Sequence, residues 1–164
     1  MDKILRINMN TQSGPTIATE SLGDYSGLGG RAMTSSIVTK EVPADCHPLS
    51  KDNKLVIAPG ILSGTAGAMT GRLSVGCKSP LTGGIKEANA GGQPSQMLAR
   101  LGIAAIVIEN APQNDNLYKI VINSSGATIS HDNSLKMLGN YATVEKLKGE
   151  YGEKAAFITI GQAG

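Results

Sequence analysis

"KSPLTGGIKEANAGG", residues 78–92, holds four glycines, one proline, one asparagine and almost no bulky side chain. A core segment is not written this way. Two readings stay open from the residues alone. One is a mobile, turn-rich loop. The other is backbone brought close to a ligand, because glycine lets main chain approach where a side chain would block it. Structureless loops beyond roughly 12–15 residues are uncommon unless they serve a function or are disordered. The stretch ends a wider window, 60–92, which carries nine of the chain's 21 glycines. Within that window only "RLSVGCK" (72–78) reads as a strand.

On the N-terminal side, "KILRINMN" (3–10) alternates apolar and polar residues as a half-buried strand does. "TQSGP" turns it into a return strand, "TIATE" (16–20). "DYSGLGGR" (24–31) is a glycine-rich joint, and "RAMTSSIVTKEV" (31–42) follows as a helix. "PADCHPLSKDN" (43–53) is surface loop, and "KLVIAP" (54–59) a short buried strand. On the C-terminal side, "SQMLARLG" (95–102) is a short helix closed by Gly102. "IAAIVIE" (103–109) is a buried strand without alternation. "NLYKIVINSSGATISHD" (116–132) is a hairpin. "TVEKLKGEYG" (143–152) is a helix capped by Thr143, and "KAAFITIG" (154–161) a last buried strand. The order predicts an α+β fold rather than alternating parallel strands. "ITIGQAG" runs from a strand straight into a glycine-rich turn, which reads as a domain with more chain to follow. An echo of Leu-Ser/Thr-Gly between 60–68 and 79–88 reads as chance.

The 164 residues suit one domain. Aromatics are 3%, so the core is aliphatic. A net charge of +2 is too near neutral to argue for nucleic acid or an anionic membrane as a partner, and neither is expected. The longest apolar run, 103–108, is far short of a membrane span. Cys46 and Cys77 form no CxxC and there is no secretory start, which fits a reducing cytoplasm.

In the glycine window, main-chain N–H groups could form a concave nest for phosphate. Arg72 and Lys78 flank it and would add charge-assisted bonds. The Asn89 amide can donate and accept, and Gly91 and Gly92 would admit a flat ligand. Neither a Walker loop nor GxGxxG occurs. "GLGGR" (27–31) reads as a tight turn into a helix, with anion binding at the helix start as the alternative. His47 beside Cys46 lacks further ligands for a metal. His131 with Asp132 reads as a solvated turn, and 145–154 as a charged helix face. No GxSxG elbow is present, and no residue qualifies as a general acid or base.

"NKLVIAPGILSGTAGAMTGRLSVGCKSPLTGGIKEANAGG" (53–92) resembles the N-terminal domain of the tungsten-containing aldehyde:ferredoxin oxidoreductases. That family runs NKL, GPLTGT, SGR, K-SPLTGG and SNSGG at matching places. "KILRINMNT", "GLGGR", "IAAIVIE" and "IGQAG" extend the likeness over the whole chain. Three departures stand out: ANAGG for SNSGG, GILSG for GPLTG, and no aromatic after the glycine pair.

The resemblance implies two β-sheets that cradle tungsten held by two pterin dithiolenes, with magnesium bridging the pterin phosphates. It assigns cofactor contacts to Arg72, Asn89, Gly91 and Gly92, and gives magnesium the backbone carbonyl of Asn89. It makes residues 1–164 an N-terminal cofactor-binding domain, truncated at its C-terminal end. The iron–sulfur domains are absent, so the parent's 4Fe-4S cluster would not be bound by this chain. The implied parent is a cytoplasmic homodimer of anaerobic metabolism. It would oxidise an aldehyde to a carboxylic acid and pass electrons to ferredoxin, while this stretch alone would be inactive. Two alternatives belong to other classes: a scaffold or interaction domain without cofactor, and a phosphate- or nucleotide-binding module.

Overall fold

The computed structural model describes residues 1–11 and 13–163. Along these the chain forms β1 (Lys3–Asn8), β2 (Thr16–Ser21), α1 (Gly30–Glu41), β3 (Lys54–Pro59), β4 (Arg72–Lys78) and β5 (Ile85–Gly91). It continues as α2 (Gln93–Arg100), β6 (Ile103–Glu109), β7 (Tyr118–Asn123), β8 (Gly126–His131) and α3 (Asn140–Tyr151). Six strands make one sheet in the order β2-β1-β6-β3-β4-β5, and β7 and β8 form a separate hairpin. Among the described residues only β1 and β6 pair in parallel. The α+β architecture with two sheets and short helices is thus as expected. Gln12, in the TQSGP turn, and Gly164, at the end of IGQAG, lie outside the described residues.

The large sheet is covered on both faces. Met33 and Ile37 of α1 pack with Ile4, Val56, Ala104 and Val107. On the other face Leu98 of α2 joins Leu5, Ile57 and Ile106, and Ile120 and Ile129 of the hairpin lie against them. Burial on both faces is why β6 shows no alternation of apolar and polar residues. A Cβ at Gly76 on β4 would lie 2.7 Å from the Thr34 Cβ, so α1 rests directly on the strand.

The far end of α1 is tied down by charge. Both terminal nitrogens of Arg6 donate to the Glu41 carboxylate at 2.7 Å, and its Nε donates to Glu20 at 2.7 Å. Lys54 Nζ donates to Glu41 and Glu109, each at 2.8 Å. The Tyr25 hydroxyl donates to Glu41 at 2.7 Å. Burial by itself would raise the Glu41 carboxyl, but the bonds from Arg6, Lys54 and Tyr25 prevail and hold it at about 2. Burial, then the bond to Glu41, pushes Tyr25 up to about 12.

Three expectations are corrected. Residues 85–91 are a strand, β5, paired along its length with β4, and only 79–84 is a turn. Small residues weaken the strand signal, and the neighbouring strand supplies what propensity does not. The last helix starts at Asn140, with Gly139 at its N-cap; Thr143 sits inside it, buried, with its N–H on the Gly139 carbonyl. Residues 154–160 form no strand and pair with none among the described residues, and Ile158 and Ile160 are exposed.

An internal repeat supplies the reason for the third. β8, the following 3₁₀ turn and α3 each begin 110 residues after β2, its 3₁₀ turn and α1. Gly27 and Met137 both have positive φ, and Gly29 and Gly139 both precede the helix. Gly60 after β3 touches Gly30, as Gly161 touches Asn140. Residues 154–160 therefore follow α3 in the chain as β3 follows α1 in the first unit. There β3 reaches β1 only through β6, and the second unit has no counterpart of β6 among the described residues.

Two outcomes follow from this packing. Gly76→Ala, forced against Thr34, should cost about 1–3 kcal/mol of stability in urea unfolding. In acid, Glu41 carries a depressed pKa, so its contribution is whole above the usual carboxylate value near 4.5 and fades as pH falls toward 2. The unfolding midpoint should drop through that window, and Glu41→Gln should flatten the drop.

Candidate functional site

β5 is the terminal strand of the large sheet, so one of its edges is free. Which of its peptide groups face that edge follows from β4. The Arg72 carbonyl accepts from the Gly60 N–H at 2.9 Å, on the β3 side. Lys78 also turns its main chain away from β5, its N–H donating to Asn53 Oδ1 at 3.0 Å. In an antiparallel ladder, opposed residues exchange either two bonds or none. Gly91, Asn89 and Glu87 lie opposite Arg72, Ser74 and Gly76. Their N–H and C=O groups therefore point outward. Lys86, Ala88 and Ala90 turn inward to Cys77, Val75 and Leu73.

Arg72 and Asn89 lie on the same face of the sheet, the one under α1. The Arg72 guanidinium lies over Gly91, with Nη1 3.6 Å from where a Cβ would sit. It is exposed and has no carboxylate partner among the described residues. Asn89, Gly91 and Gly92 are exposed beside it. The fold thus gathers a free cation and outward main-chain groups of small residues at one sheet corner. An anion placed there meets a guanidinium fork and peptide N–H donors together.

The Asn89 side chain is occupied elsewhere. Ser74 Oγ donates to Asn89 Oδ1 at 2.8 Å, and Asn89 Nδ2 donates to Glu87 Oε2 at 3.0 Å. The same carboxylate oxygen accepts from Arg31 Nε at 3.1 Å. Glu87 and Arg31 escape a sequence reading because nothing in the linear order links them. The one visible signal is Glu87 standing two residues before Asn89.

Lys78 does not join this site. It occupies the opposite end of β4, is 8% exposed, and donates to the Ala44 and Cys46 carbonyls at 2.6 Å each. Its ammonium holds loop 43–53 in place. Several glycines of 60–92 also answer to packing rather than to a ligand. Gly76 meets Thr34, Gly64 meets Ala99, and Gly83 turns the chain with φ +71°. "GLGGR" is a close-packed entry to α1: a Cβ at Gly29 would lie 2.6 Å from the Ile61 nitrogen. Cys46 and Cys77 are free, and no cluster of three or more metal-ligating side chains occurs among the described residues.

The family model for the aldehyde ferredoxin oxidoreductase N-terminal domain matches residues 4–164. The chain belongs to that family. A tungsten-containing aldehyde ferredoxin oxidoreductase of Pyrococcus furiosus is 34% identical over 165 residues, spanning 99% of this chain and 27% of the relative. One from Pyrococcus horikoshii is 36% identical over 168 residues, spanning 99% and 26%. Among solved structures, the active-site complex BamBC of benzoyl coenzyme A reductase with 1,5-dienoyl-CoA superposes with a TM-score of 0.84 at 26% identity. It covers 93% of this chain and 23% of that one. The chain spans about a quarter of the length of these relatives. No helix among the described residues is long and apolar enough to cross a membrane.

Replacing Lys78 in this family member separates structure from site. Lys78→Met should speed amide hydrogen exchange across 43–53 and leave the exchange of residues 89–92 unchanged.

Proposed function

We propose that this domain is the cofactor-holding N-terminal part of a tungsten-dependent aldehyde oxidoreductase. The free corner of β5 would receive the phosphate end of a tungstopterin. The observation that carries this reading is the unpaired Arg72 beside the outward-facing peptide groups of Asn89 and Gly91. The corner fits such a group on chemical grounds. It offers a cation and N–H donors for phosphate, a carbonyl for a hard cation, and no bulky side chain over the edge.

Each residue has a distinct task. Arg72 neutralises phosphate charge. Asn89 presents its backbone carbonyl to magnesium. Gly91 and Gly92 leave room for the guanidinium and for close approach of the ligand. When bound, the cofactor supplies the two-electron oxidation of an aldehyde to a carboxylic acid, and ferredoxin takes the electrons. The domain itself binds and orients. No residue here is assigned a proton-transfer role. The cluster around Glu41 has its charges mutually paired at the far end of α1, away from this corner.

The decisive test uses the full-length protein purified without oxygen. Arg72→Ala removes a charge-assisted contact of about 1.5–3 kcal/mol, or about tenfold or more in affinity. Tungsten and pterin content should fall while the circular dichroism spectrum is retained. Full occupancy in the variant would remove Arg72 from the site. A wild-type protein with neither tungsten nor pterin would overturn the reading as a whole.

A further inference from the structure

Glu87 is an odd residue for the place it holds. Its side chain is 12% exposed, and Oε1 is fully buried with no hydrogen-bond partner among the described residues. All of its bonds run through Oε2, to Arg31 and Asn89. A carboxylate with one oxygen buried and unsatisfied is costly, and packing alone would favour an apolar side chain there. Its presence there calls for a gain elsewhere in the protein.

We propose that Glu87 is a positioning residue for the ligand edge of β5, an inference that rests on the function proposed above. The Asn89 amide is gripped at both ends, by Ser74 at 2.8 Å and by Glu87 at 3.0 Å. That grip holds the side chain against the α1 face, leaving the Asn89 peptide groups alone at the free edge. Without it, the amide is free to rotate across the edge and compete with its own carbonyl for the ligand. Glu87 also holds Arg31 by Nε only, which leaves the two terminal guanidinium nitrogens of a 70% exposed side chain unspent. Arg31 at Glu87 and Arg72 at Gly91 therefore bracket Asn89, each two residues away along β5. The arrangement suits a ligand carrying more than one phosphate oxygen, because Arg31 adds a second cation on the same face.

The experiment compares Glu87→Ala, Glu87→Gln and Ser74→Ala in the full-length protein, purified without oxygen. Tungsten and magnesium are measured by mass spectrometry, pterin by fluorescence after oxidation, and folding by thermal melting. Ser74→Ala should lower cofactor content about fivefold, the effect of one lost hydrogen bond, and Glu87→Ala, which releases both Asn89 and Arg31, by at least as much, with melting close to wild type. Glu87→Gln should restore most of the loading. Its amide oxygen still accepts from Asn89, and its NH2 replaces the oxygen that bonds to nothing. Cofactor content at the wild-type level in Ser74→Ala would overturn the proposal, even if Glu87→Ala failed to fold. Failure of Glu87→Gln to restore loading would overturn it too. A wild-type protein without cofactor would instead sink the parent reading, so the two failures are distinct.

Discussion

The close seat of α1 on β4, made possible by Gly76, is the constraint on which the rest of the structure depends. With no side chain at Gly76, Thr34 packs directly on the strand at that point. The two ends of α1 are then put to different uses. The C-terminal end delivers Glu41 into the charges of Arg6 and Lys54, which join β1 and β3 to the helix. The N-terminal end brings Gly30 over Ser74 and Arg31 to Glu87. A helix lifted by one methyl group would loosen both. Stability and site geometry are therefore set by the same contact.

An exposed sheet edge is ordinarily a hazard, because unpaired peptide groups invite another strand. β5 carries glycine and alanine at its corner and no protecting proline, with Lys86 on the strand and the unpaired Arg72 on its neighbour. That pattern makes sense if the corner at Gly91 is reserved for a ligand whose charge Arg72 meets. The small residues then serve two masters: inward-facing ones complete the ladder, and outward-facing ones keep the edge open.

Much of this was legible in the chain. β3, β4 and β6 occur where their apolar runs end, because short buried strands flanked by glycine and proline leave little choice of boundary. The TGR segment (70–72) and the ANAGG motif drew attention to Arg72, Asn89 and Gly91, and the ladder register puts these three on one face. What was not legible depends on contacts across the fold. Lys78 looked like an anion ligand because a lysine beside a glycine loop usually faces water. Here two carbonyls of a distant loop capture it. β5 was hidden because its pairing, not its residues, makes it a strand. The repeat 110 residues apart was hidden because the two units share little beyond a leucine, a glycine and an alanine around each helix start.

The most direct test of the account is residue-resolved amide hydrogen exchange along β5 in the full-length protein, with and without cofactor. Lys86, Ala88 and Ala90 should be protected in both states, since their N–H groups belong to the ladder with β4. Asn89 and Gly91 should exchange fast without cofactor and become protected with it. Protection of all five residues irrespective of loading, or no change at Asn89 and Gly91, would contradict the claim that this edge is where the ligand sits.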